Sequence, residues 1–177
     1  FAFDECTSPS EDFLYQEEAL EGTHRWARRS LEHHQVLRSD LKNHSQGPTS
    51  GDADVAIFAT GPLVHNALLA SQLLEKEGIA VSVVNVHTIK PLDKETVVRE
   101  ARAAGAVVSV EEHQIAGGLG SAIAELLAEA CPVPQEFIGV RDQFGQSGTP
   151  KELIEYYGLG VSHIAAAVKK VLQRKTP

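Results

Sequence analysis

The chain has 177 residues, 42% of them apolar and 23% charged, and its 16 Lys and Arg against 24 Asp and Glu give a formal net charge of −8. That length supports one ordinary domain, or a smaller one with an appendage, and a core that needs no disulfide or metal staple. The acidic balance leaves no footprint for nucleic acid, no apolar run approaches the ~18–20 residues that span a bilayer, and nothing at the start reads as a signal peptide.

Aromatic residues are sparse at 6%, while Ala, Val, Ile and Leu are plentiful, which favours a layered α/β core over a β-sandwich. The two cysteines, Cys6 and Cys131, lie far apart without metal-ligand spacing, a pattern that fits a reducing cytoplasm. The chain begins at Phe1 and holds no Met, which reads as a piece of a larger parent or a processed chain.

Composition changes near residues 40–54. The formal charge is −5 over residues 1–52 (5 basic, 10 acidic) and −3 over 53–177 (11 basic, 14 acidic). Residues 1–40 read as a helical segment: Ser10, Glu11 and Asp12 supply capping chemistry, and Phe13, Leu20, Ala27 and Leu31 recur at helical spacing beside Leu14 and Trp26. A helix with one apolar stripe needs something to dock on. Residues 41–53 are polar, contain Gly47, Pro48 and Gly51, and read as a linker.

From 54 to 177 strands and helices alternate. The run Val55–Ala59 predicts a strand ended by Thr60-Gly61, with Pro62 opening a helix that carries Val64, Ala67, Leu68 and Leu74 and stops at Gly78. Ala80–Val86 is a second strand, bounded by Lys90-Pro91. Asp93 caps a helix through Val97, Val98 and Ala101 that Gly105 ends. Ala106–Val110 is a third strand running into Glu111, Glu112 and His113, and Gly117, Gly118 and Gly120 precede a helix from Ser121 to Ala130. Phe137–Val140 is a fourth strand, followed by helices at about 150–157 and 162–173. Strands separated by helices imply parallel pairing with right-handed crossovers. The expected fold is therefore a three-layer α/β/α sandwich with a mainly parallel sheet, preceded by an N-terminal helix and a linker.

Two places invite chemistry. Glu111, Glu112 and His113 stand at the carboxyl end of a strand, where α/β folds place ligands; one carboxylate would orient the imidazole while the other acts as acid or base. The alternative is a polar strand end that caps the next helix or meets a neighbouring subunit, and the lack of a nearby nucleophile or second His favours it. The Gly117–Gly120 turn offers free N–H groups to an anion at a helix start, but it has neither dinucleotide nor P-loop spacing, and a tight turn with close helix–sheet packing explains it as well. Ser147 lacks nucleophile-elbow spacing and lies in a turn where Thr149 caps the following helix, with Glu152 helping. His65, His87 and His163 form no metal set.

Several pieces in order resemble the C-terminal domain of the transketolase family: Asp54–Gly61, Val83–Asp93, Glu111–His113 with Gly117–Ala122, Asp142–Gly148, and Leu153–Leu159. The family includes transketolases, 1-deoxyxylulose-5-phosphate synthases and beta subunits of 2-oxoacid dehydrogenase first components. The resemblance implies that thiamine diphosphate and a divalent metal sit between pyrophosphate- and pyrimidine-binding domains outside this chain, so no catalytic, cofactor-binding or metal-binding residue is assigned here. It implies a domain that helps assemble a thiamine-diphosphate enzyme, inactive alone as a ketol transferase, with a homodimer expected. Glu111, Glu112, His113, Gly117, Gly118 and Gly120 are the candidate interface to the missing domains. The family sheet usually has a further strand just before Asp54, and residues 41–52 show no clear one.

Phe3–Thr7 with Glu21–Ser30 resembles a fragment of tRNA-guanine transglycosylase, whose base pocket uses residues at the Asp4 and Cys6 positions. So short a match cannot build a (β/α)₈ barrel of about 250 residues. The rival to an assembling domain is thus an inactive truncated or artificial chimera, with this fragment as a structural cap.

Overall fold

The computed structural model describes the strand at residues 35–38 and residues 53–175. Five strands, β1 (Gln35–Arg38), β2 (Val55–Ala59), β3 (Val81–Asn85), β4 (Val107–Gln114) and β5 (Gln135–Val140), form one sheet in the order β1-β3-β2-β4-β5. The helices are α1 (Leu63–Glu75), α2 (Lys94–Ala104), α3 (Leu119–Ala130), α4 (Pro150–Tyr156) and α5 (Val161–Arg174). Strands β2 to β5 pair in parallel, and β1 closes the far edge antiparallel to β3, with Gln35 opposite Asn85. The α/β class and mainly parallel sheet expected from the sequence are present.

Period-two alternation in β2 creates the three layers. Val55, Ile57 and Ala59 face one core with Leu63, Ala67 and Leu74 of α1 and Ile164, Val168 and Val171 of α5. Ala56 and Phe58 face a second core with Val97 and Ala101 of α2 and Ile123 and Leu127 of α3. Every residue of β2 is buried, as a central parallel strand covered on both sides must be. Burying a side chain such as Ile57 or Phe58 contributes about 1.5–3 kcal/mol, which makes this strand the mechanical centre of the domain.

Local signals set the element ends. Asp93 accepts a hydrogen bond from the Thr96 N–H at 3.0 Å, and Gly105 ends α2 in the left-handed region at φ 66°, where a Cβ would be strained. Thr149 and Glu152 form a reciprocal capping box at α4 with Pro150 in its first turn. Pro62 sits at the cap of α1 rather than inside it.

The strand Gln35–Arg38 lies near the end of the segment 1–40 that reads as mostly one helix, and the sequence reading did not include it. It also supplies an extra edge strand that the polar stretch 41–52 did not reveal. Four residues at a sheet border bury one face at most, so periodicity over so short a run carries little signal. The helical reading of residues 1–34, Asp4 and Cys6 included, and the linker reading of 39–52 lie outside the described residues.

Candidate functional site

Strand β4 alternates like β2. Ser109 and Glu111 turn toward α3, while Val108 and Val110 enter the opposite core. Glu111 is only 1% exposed, and both carboxylate oxygens are used within the molecule. Oε2 accepts from the Leu119 N–H at 2.7 Å and Oε1 from the Gly120 N–H at 2.8 Å. These N–H groups belong to the first turn of α3, where intrahelical acceptors are missing and the helix dipole is positive. The helix has no conventional side-chain cap from Gly118, so the strand-borne carboxylate does that work.

The glycines make this approach possible. A Cβ on Gly118 would fall on Glu111 Oε2 and lie 2.5 Å from the Gln114 carbonyl oxygen. One on Gly120 would lie 2.7 Å from both Ser109 Oγ and Phe137 Cδ1. Gly117 has φ 77° and is exposed. Ser121 ties the turn: its Oγ donates to the Ile115 carbonyl at 2.7 Å and accepts from the Gly117 N–H at 3.0 Å. Beneath it the Gln135 amide donates to the Gly120 carbonyl at 3.1 Å and to Ser109 Oγ at 3.3 Å.

Glu112 and His113 point elsewhere. Both are exposed and line an open cleft of about 290 Å³ at the carboxyl ends of β4 and β5, with Gln114, Gln143, Gln146 and Tyr157 among its walls. His113 Nδ1 lies 3.0 Å from the Gln114 carbonyl oxygen. The structure thus splits the sequence cluster: Glu111 belongs to the interior and its two neighbours to the surface. An acid–base pairing of Glu111 with His113 has no geometric basis, because both Glu111 oxygens accept from α3.

Two residues that sequence reasoning did not single out hold the cleft's outer wall. The Gln114 amide donates to the Gln143 carbonyl at 2.9 Å and its oxygen accepts from the Asp142 N–H at 2.9 Å. The Tyr157 hydroxyl donates to the Phe144 carbonyl at 3.0 Å and accepts from the Gln146 N–H at 2.8 Å. Between these ties Phe144 is 94% exposed. Neither Gln114 nor Tyr157 stands in a pattern that distinguishes it from a solvated residue. Ser147 lies on this exposed loop, beside the Thr149 cap.

Among the described residues no group of three His, Cys, Asp or Glu side chains is placed to hold a metal ion, and no helix is long and apolar enough to cross a membrane.

Fold and site together define a layered α/β domain in which the buried strand-end carboxylate of Glu111 is engaged in the domain's own architecture. The transketolase C-terminal domain family matches residues 48–164, and the chain belongs to that family. It is 50% identical over 122 residues to the 6-deoxy-6-sulfo-D-fructose transketolase subunit SqwH of Clostridium sp. (strain MSTE9), covering 69% of this chain and 38% of that protein. It is 45% identical over 120 residues to the 1-deoxy-D-xylulose-5-phosphate synthase of Heliobacterium modesticaldum, covering 67% of this chain and 18% of that protein. A solved split-gene transketolase, described as an inactive beta4 tetramer, superposes with a TM-score of 0.68 at 50% identity, over 70% of this chain and 40% of that one. The chain therefore spans well under half the length of these relatives. All three match transketolase-like proteins over about two thirds of the chain, and the resemblance of the first segment to tRNA-guanine transglycosylase is not borne out.

Proposed function

We propose that this chain serves as the C-terminal part of a thiamine-diphosphate-dependent transketolase-like enzyme, assembling with pyrimidine- and pyrophosphate-binding domains and having no activity alone. On this reading the cofactor and its divalent metal are held by those other domains, and the chain pairs with a second copy of itself in the assembly. The observation that carries the reading is the rim at the carboxyl ends of β4 and β5. There the exposed Glu112 and His113 adjoin a loop that Gln114 and Tyr157 pin in place while Phe144 stands in water. A fixed loop presenting a bare aromatic ring suits a surface that another domain covers. Glu112, His113 and Gly117 would face that domain, and Glu111, Gly118 and Gly120 would hold the rim in shape behind them.

The test supplies the two cofactor-binding domains as a separate chain and measures association and ketol transfer with thiamine diphosphate and Mg²⁺. Complex formation is expected, with transfer only in the mixture, and Phe144→Ala is expected to weaken association at least ~tenfold, about 1.4 kcal/mol. No association between the chains would overturn the reading.

A further inference from the structure

We draw no further inference here: the strongest candidate, the open groove of about 280 Å³ between β5 and α5 where Arg141, His163 and Lys170 gather, carries nothing, because Lys170 and His163 already face the chain's own Glu136 and Glu155 and nothing in the structure shows what occupies it.

Discussion

Replacing Glu111 with Gln tests the role of the buried carboxylate at the head of α3. The substitution keeps the shape and burial but leaves one acceptor oxygen where there were two, and it sets an NH₂ group against a backbone N–H. One charge-assisted hydrogen bond is lost, worth about 1.5–3 kcal/mol, and the favourable charge at the helix start goes with it, worth up to ~2 kcal/mol in a partly buried setting. Relief of the cost of burying a carboxylate works the other way, by an amount of the same order. The expected net loss is about 1–3 kcal/mol, a large part of the ~5–15 kcal/mol that keeps a domain folded. At ~2–8 °C per kcal/mol this corresponds to a melting temperature lower by on the order of 10 °C. Urea unfolding followed by circular dichroism gives the midpoint and slope, and a lower midpoint at unchanged slope reports lost stability. Glu112→Gln, on the exposed neighbour, is expected to stay within about 0.5 kcal/mol of wild type. If the two variants melt alike, the carboxylate is not what holds α3 to the sheet.

Gly120→Ala places a methyl 2.7 Å from Ser109 Oγ and Phe137 Cδ1, so it is expected to cost about 1–3 kcal/mol by denaturant midpoint. Gly145→Ala, where a Cβ meets nothing within 4 Å, is the neutral comparison. For Glu136, burial pushes the carboxyl up, but hydrogen bonds from Lys170 and Arg174 outweigh it and hold the carboxyl below its ordinary 4.5. A depressed folded value means stability present above 4.5 and lost as pH falls through the folded value. Glu136→Gln is therefore expected to be less stable than wild type by about 1 kcal/mol at neutral pH, its cationic partners being half in water, and to converge with wild type in acid. A gap that stays constant from pH 7 to about 3 would contradict that assignment.

The central fold was legible because its signals are local and repeated. Val55–Ala59 is apolar throughout, which only a strand covered on both faces tolerates, and Asp93, Gly105 and Thr149 mark helix ends by side-chain or backbone chemistry that acts within a few residues. The strand Gln35–Arg38 was not legible, because it is held by a partner some fifty residues away in the chain and by four residue pairs only. At the site, Glu111–His113 reads as one cluster along the sequence, yet the period of a strand sends adjacent side chains to opposite faces. Alternation alone separates Glu111 from Glu112. It does not reveal that α3 begins within reach of Glu111, which depends on the turn from Ile115 to Gly118. The ties through Gln114 and Tyr157 span 28 and 13 residues and leave no local trace.

That turn also leaves a glycine-rich strand-to-helix junction no open cradle for an external anion. A helix start with bare N–H groups attracts phosphate or carboxylate because its dipole and unpaired donors act together. At α3 the chain provides its own carboxylate, eight residues before Leu119, and the absence of side chains at Gly118 and Gly120 leaves room for that carboxylate and little else. A phosphate entering here would have to expel a charged group whose two oxygens are already bonded at 2.7 and 2.8 Å. The junction is closed from within, and the exposed groups on the rim beside it are Glu112 and His113 with the pinned loop of Phe144, the surface proposed above to meet another domain. Those groups are spread along an open surface rather than converging on one atom. Such an arrangement suits contact with another domain better than capture of a small substrate.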